Sequence, residues 1–322
     1  MKKSFCELLR DYYPRISEVE DLHATYIANC VFNSFLSYTA IMLNIVTIHA
    51  IRKTSSLPKT LKTLLLSLAV SDVGVGLLVQ PFYISLLVRW SLQMVPICNT
   101  FKTFSIIGIC FGTSSFLGVV ALSVDRFLAI HLHLRYQELV THKRVVPVVI
   151  LIWVLSMFLS LAILWTPTRG IQSLFLCNVL GIGLVLTAMV YIRIYLAARR
   201  HKNQNQVLQV QREAQAYKIA NFTSLIKAAV AIFYIYVVFL ICYLPYIISL
   251  VAIKIADSSV TVKKLHYFSL TVVLMNSSLN PIIYCWKMRH IRHAVINILR
   301  NVFQHRSRAS HETLAMAGHT LP

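Results

Sequence analysis

The sequence predicts an all-α membrane protein. Seven spanning helices form a bundle, and a short amphipathic cytoplasmic helix follows the seventh. Three observations predict it. The chain of 322 residues is 57% hydrophobic and only 13% charged, well below the charge of a soluble domain that long. Its apolar residues gather into seven stretches that reach the roughly 20 residues a spanning helix needs. Polar and helix-breaking residues stand inside those stretches, where they cost free energy unless they have a use.

The spans fall near 24–50, 61–88, 101–130, 145–166, 172–197, 229–253 and 265–285. Residues 1–23 form a polar segment with Glu7, Asp11, Glu18, Glu20 and Asp21, and 24–285 form one receptor-sized domain. The first apolar run is too long for a cleavable leader and has no small-residue cleavage site behind it, so it reads as a signal anchor. The long segment from Arg199 to Lys227 extends the fifth and sixth helices around the polar run 201–206. Beyond the seventh span, Trp286, Met288, Ile291, Val295, Ile298 and Leu299 recur at helical spacing among Lys287, Arg289, Arg292 and Arg300. That pattern predicts an interfacial helix over 286–303, and the polar residues 304–322 a disordered tail.

The formal net charge of +20 is not that of a nucleic-acid binder, because most of the basic residues fall in alternate loops. Arg52, Lys53, Arg135, Lys143, Arg144, Arg199, Arg200 and Arg300 mark the cytoplasmic side. The bias places the N-terminus outside, and part of the basic excess lies against anionic lipid headgroups. The sequons at Asn221 and Asn276 fall in the cytoplasm and within a span, so neither is glycosylated. The seven cysteines have no metal-ligand spacing. Cys110, Cys242 and Cys285 read as small buried hydrophobes, and Cys98 stands outside, where an oxidised pair can form. There is no nucleophile triad, phosphate loop or zinc motif, so no enzyme is expected.

Asp72 lies in the second span. An uncompensated carboxylate there costs at least ~2.5 kcal/mol, so it needs partners. Ser115, Asn276 and Ser277 offer oxygens at compatible depth, with Asn44 in support. Oxygen ligands around one carboxylate suit a hard cation or a protonated acid. Arg126, at the cytoplasmic end of the third span, stays charged and needs a partner, of which Asp125 is the nearest. Pro245 and Pro281 each lack an N–H and kink the sixth and seventh helices, which makes the sixth a lever.

In order, Leu43-Asn44, Leu68 to Asp72, Asp125-Arg126-Phe127, Trp153, Cys242 to Pro245 and Asn280-Pro281-Ile-Ile-Tyr284 resemble the rhodopsin-like G-protein-coupled receptors over almost the whole chain. The resemblance implies that Asp125, Arg126, Tyr191, Tyr243, Pro245, Asn280, Pro281 and Tyr284 make the activation switch. Arg126 leaves Asp125 for Tyr191, Tyr284 and a G protein when the sixth helix swings outward. It also implies that Asp72, Ser115, Asn276 and Ser277 hold an allosteric sodium ion; no other cofactor is expected. The expected partners are a heterotrimeric G protein, an unidentified extracellular ligand, arrestin and membrane lipids. The expected location is the plasma membrane, as a multi-pass protein.

Several positions depart from the family pattern. Phe127 replaces a tyrosine, and Tyr243 stands where tryptophan is common. Leu225 occupies the place of an acid that clamps the family arginine, so a weaker clamp and some basal activity are expected. The family's cysteine position at the third helix falls on Phe101; Cys98 lies a turn earlier, and Cys177 is the partner open to it. The fifth helix has Gly183 in place of a proline, and the second outer loop is short, as in melanocortin receptors. The run from Tyr191 to Arg200 resembles adenosine receptors.

The pocket is defined mainly by exclusion. Gly108 replaces the aspartate of amine receptors, Leu274 the opsin lysine, and Leu250 the adenosine-receptor asparagine. Phe82 and Gly108 also take the places where melanocortin receptors carry carboxylates. The candidate ligand-binding residues are Gln80, Tyr83, Ile109, Thr113, Tyr246, Leu250, His266 and Tyr267, a lining that suits a lipid-like or small neutral molecule. Two rival readings remain at this point. One is a transporter that uses Asp72 for a coupling ion, although its two halves show no self-similarity. The other is a non-signalling receptor partner.

Overall fold

The computed structural model describes residues 16–55, 57–94, 98–132, 135–162, the positions 181, 185, 188–189, 191–193, 196 and 199, and then 214–255, 259–301 and 304. Among the described residues six helices are long and apolar enough to cross a membrane. They are Val19–Lys53, Lys59–Ser91, Asn99–Leu132, His142–Leu161, Ala229–Ile253 and Val260–Lys287. Every described residue between 181 and 199 is helical, at the place of the fifth span.

The helices outrun the apolar stretches that announce them. The first begins at Val19, so the outer segment expected to run to residue 23 gives up its last residues to helix. A single 3-10 turn, Ile16–Glu18, precedes it. The sixth runs from Ala214 to Ile255. Its cytoplasmic part has no Gly or Pro, and its Ala, Lys, Leu and Gln residues lose little on entering a helix. At 1.5 Å per residue this helix is roughly 60 Å long, about twice the hydrocarbon thickness. The fourth helix is described as His142–Leu161, and residues 163–166 of the expected span lie outside the described residues.

The second span is not one regular helix. An α-helix over Lys59–Gly74 passes into a π turn, Val75–Val79, and resumes as Gln80–Ser91. Pro81 has no N–H to give the carbonyl four residues back, and the wide turn absorbs the mismatch: the Gln80 N–H bonds Val75 O. Two glycines make room for it. A Cβ on Gly74 would come 2.1 Å from the Phe111 ring, and one on Gly76 would come 2.9 Å from Ile41 Cγ1. Ser37 Oγ donates to the Gly76 carbonyl at 2.8 Å and pins the turn to the first span.

The first span packs on the second and seventh, the third on the second, fourth and sixth, and the sixth on the seventh. Two apolar clusters fill the bundle. One, around Leu65, Phe116, Ile232, Phe239 and Tyr284, lies in the half of the bundle expected to face the cytoplasm. The other, around Leu22, Tyr26, Tyr83, Trp90 and Tyr267, lies in the opposite half. Phe35, Phe158, Ile241 and Ile282 are more than half exposed, as residues facing acyl chains are. Met288 breaks the seventh helix with φ −109° and ψ 96°, and a separate helix follows over 289–301. Buried Met288 and Ile291 seat it on the first of these clusters. Trp286, expected at the start of this helix, belongs instead to the end of the seventh.

Candidate functional site: a polar track from the outer surface to the third helix

At the cytoplasmic end, Arg126 is 2% exposed. Its Nε donates to Asp125 Oδ2 at 2.9 Å, and its terminal nitrogen makes a second, shorter contact to the same oxygen. The other carboxylate oxygen is taken by the loop. Tyr136, on the short helix Tyr136–Leu139, donates its hydroxyl to Asp125 Oδ1 at 2.6 Å. Tyr136 Oη also lies 3.1 Å from Thr60 Oγ1 of the second span. Burial, and then the Asp125 charge, push the Tyr136 phenol up to about 12, so it remains a donor at physiological pH. The ion pair expected from the sequence is therefore part of a four-residue knot. Tyr136 and Thr60 gave no sequence signal, because neither stands in an apolar context that makes it costly.

Above the knot, aromatic rings couple the third, fifth and sixth spans. Tyr191 Oη lies 3.2 Å from Ser123 Oγ, and its ring meets Phe233 and Tyr236 at 4.9 and 5.7 Å. Tyr243 stacks on Phe239 at 3.9 Å, and Phe239 meets Phe116 at 5.3 Å. Gly112 faces the Tyr243 hydroxyl, which a Cβ there would meet at 3.6 Å, an ordinary contact. Tyr284 is fully buried, and its hydroxyl has no partner among the described residues. Tyr191 and Tyr284 are thus free of Arg126, which is held by Asp125.

At mid-depth, Asp72 is fully buried and its Oδ2 accepts from Asn280 Nδ2 at 2.8 Å. Asn280, expected in the switch, is therefore also the direct partner of Asp72. Ser115 Oγ lies 2.9 Å from Ser71 Oγ, a neighbour the sequence reading passed over. Asn44 Nδ2 donates to the Ser277 carbonyl at 2.9 Å, which ties the first span to the seventh. Asp72 Oδ1, Asn276 Oδ1, Asn280 Oδ1 and Asn44 Oδ1 are buried acceptors with no donor among the described residues. Unfilled carboxylate and amide oxygens are the donor set of a hard cation, so these residues fit the implied ion. Pro281 follows Asn280 inside the helix, and Pro245 lies in the sixth.

Toward the outer surface the candidate ligand residues divide. Tyr83 and Tyr267 are 1% and 2% exposed. Tyr83 stacks on Phe104 at 5.6 Å and donates to the Tyr267 carbonyl at 3.1 Å. Tyr267 packs between Tyr26 and Trp90 at 5.4 and 5.5 Å. These two bind spans together. Ile109, Tyr246 and His266 are half-buried. The His266 ring stacks on Tyr246 at 5.5 Å, and its Nδ1 lies 3.0 Å from Ser249 Oγ. Thr113 and Leu250 are buried. Gln80 is fully buried, and neither amide atom has a partner among the described residues. It directly follows the π turn, a feature frequent at functional sites. A Cβ on Gly108 would stand 3.7 Å from Val79 Cγ1, in ordinary van der Waals contact with the second span.

Lys263, in the first turn of the seventh helix, is 3% exposed and paired at 2.5 Å with Glu18. The pair fastens the turn before the first helix to the start of the seventh. The Cys98 side chain and Cys177 lie outside the described residues, as do the tail beyond 304 and Gly183.

The 7 transmembrane receptor (rhodopsin family) profile matches residues 43–284, so the chain belongs to the rhodopsin-like G-protein-coupled receptors. The human (Homo sapiens) adenosine receptor A2a is 26% identical over 299 residues, covering 83% of this chain and 70% of that one. The rat (Rattus norvegicus) histamine H2 receptor is 29% identical over 293 residues, covering 84% and 78%. In fold, the crystal structure of squid rhodopsin matches with a TM-score of 0.75 at 17% identity, over 87% of each chain. The adenosine likeness expected from the fifth helix is among these relatives. So is a histamine receptor, although Gly108 leaves this chain without the acid that pairs an amine.

Proposed function

We propose that this receptor sits in the plasma membrane with its N-terminus outside, binds a small neutral or lipid-like molecule, and drives nucleotide exchange on a heterotrimeric G protein. The observation that carries this reading is the state of Arg126, buried and pinned to Asp125 while Tyr191 and Tyr284 stand free of it. That is a latch at rest. The ligand must favour the state in which Arg126 is released, or it shifts nothing. The half-buried Ile109, Tyr246 and His266, with buried Gln80, Thr113 and Leu250, form the contact set. The absence of an acid at Gly108 argues against a cationic ligand. Release of Arg126 requires the sixth span to move, and its stacked Phe239–Tyr243 pair against Gly112 is the bearing. Arrestin would use the same opened cytoplasmic face.

A sodium ion at Asp72 would supply a positive charge that holds the second, third and seventh spans in the resting arrangement. Asp72, Asn276, Asn280 and Ser277 would face it. The test of the whole reading is purified protein in lipid nanodiscs with several G-protein subtypes, screened against lipids, purines, amines and peptides. Stimulated nucleotide exchange by a neutral or lipid-like compound supports it. Stimulation only by amines would overturn the ligand class. Silence toward every subtype, with the panel shown to bind, would overturn the transducer role.

A further inference from the structure

At the C-terminal end of the seventh helix, the last two residues meet the sixth. Lys287 Nζ stands 3.5 Å from the centre of the Trp286 ring and 3.9 Å from that of Tyr234. The two rings approach to 5.4 Å, with 59° between their planes. The ammonium thus lies in a notch between two aromatic faces, one on the seventh span and one on the sixth. Among the described residues it has no carboxylate partner. Its attraction is to the rings, whose faces carry the negative part of their quadrupole. Tyr234 is half-buried and packs against the apolar cluster around Leu65 and Phe239. It lies on the same helix as Pro245, roughly 16 Å away at 1.5 Å per residue.

We propose that Lys287, held between Tyr234 and Trp286, is a clasp that keeps the sixth span against the seventh in the resting state. The inference rests on the reading that the sixth span swings outward about Pro245. Tyr234 stands on the arm that must move, and Lys287 and Trp286 stand on the span it leaves. Cation–π attraction is lost beyond about 6 Å from the ring centre. A modest outward shift of Tyr234 therefore releases it, while Lys287 stays on Trp286. The clasp stands in for the carboxylate that the sequence lacks at Leu225. Here the cation belongs to the seventh span, and a ring on the sixth receives it. Two features hold the ammonium in place. The Met288 N–H bonds Tyr284 O at 2.8 Å and closes the last turn of the helix. The helix dipole also favours a cation in that turn. Trp286 is 62% exposed, as an indole at the membrane–water boundary is, so the ammonium can stay hydrated on its open side.

The test uses the full chain in lipid nanodiscs without ligand, with paired spin labels placed at Lys53 and Val230, both exposed. Their separation reports the position of the sixth helix, and constitutive nucleotide exchange is read alongside. Lys287→Gln and Tyr234→Leu should each enlarge the long-distance population about three-fold, the worth of one partly exposed cation–π contact. Combined, they should do no more than either alone, because both remove the same contact. Lys287→Arg and Tyr234→Phe keep the cation and the ring and should match wild type. Arg289→Gln removes a neighbouring charge outside the notch and should change nothing. A wild-type distance distribution in Lys287→Gln would overturn the clasp. So would equal opening in Arg289→Gln, or effects of the two variants that simply add. Opening without any rise in exchange would support the clasp and count against the transducer reading, so the two fail separately.

Discussion

At the scale of single residues, the cytoplasmic knot assigns opposite roles to neighbours. In the proposed mechanism Arg126 is the charge that moves, and Tyr136, through its bond to Asp125, is a tether that opposes the movement. Arg126→Ala should abolish ligand-stimulated nucleotide exchange while surface expression and ligand binding persist; normal exchange in that variant would remove Arg126 from the mechanism. Tyr136→Phe removes the donor to Asp125 Oδ1. A lost bond to a buried charged group costs about 1–3 kcal/mol, and here the loss falls on the resting state. Basal exchange should therefore rise by at least several-fold at matched expression. The phenol's ordinary value is 10.0 and its folded value about 12. Its contribution is thus complete below pH 10 and fades only as pH rises toward about 12, so the basal effect should be flat from pH 6 to 8. A Tyr136→Phe protein as quiet as wild type would show the tether to be idle.

At the scale of elements, legibility followed cost. Asp72, Arg126, Pro245 and Pro281 were readable because each is expensive inside hydrocarbon; the structure brings hydrogen-bond partners to Asp72 and Arg126 and keeps both prolines inside continuous helices. The π turn was not readable. It depends on Pro81 and on room that Gly74 and Gly76 leave for Phe111 and Ile41, and that room exists only once the spans have packed. The same holds for Tyr83 and Tyr267: their aromatic character suggested a pocket, while their burial assigns them to the packing between spans. The start of the first helix was underread because hydropathy ends where the lipid ends, whereas the overhang of the sixth was legible in the stretch up to Lys227, which has no Gly or Pro. That overhang gives a test. Leu225 lies in the sixth helix, at the position where the family resemblance implies a clamping acid. Leu225→Glu should lower basal exchange a few-fold, the yield of a partly wet ion pair contributing roughly 0.5–1 kcal/mol. Unchanged or raised basal exchange would remove the weak clamp as the source of basal activity.

At the scale of the whole molecule, Asp72 with Asn280 couples the second span to the seventh, and Asn44 couples the seventh to the first. An ion in this layer acts on the bundle as a unit. Once a stimulating ligand is found, sodium should lower its affinity, compared with a bulky organic cation at equal ionic strength so that screening cancels. Asp72→Asn should remove that difference, because the amide keeps an oxygen ligand but loses the charge. Linkage requires the ligand to oppose sodium by the same factor. No sodium-specific change in wild type would leave Asp72 as a structural hydrogen-bonder.

The Glu18–Lys263 pair, with Lys263 buried and Glu18 partly so, joins residues from the two ends of the chain's passage through the membrane. During synthesis the first span is inserted long before the seventh exists, so Glu18 must wait, hydrated and single, until Lys263 arrives. Its closure is therefore a marker of completed assembly rather than of signalling. Removing one partner of a buried pair costs about 3 kcal/mol, and the loss should appear in biogenesis. Lys263→Met should leave more protein retained in the early secretory pathway and less at the cell surface, and the reciprocal exchange Glu18→Lys with Lys263→Glu should restore export. If Lys263→Met reaches the surface as efficiently as wild type, the ring of spans closes without this clasp.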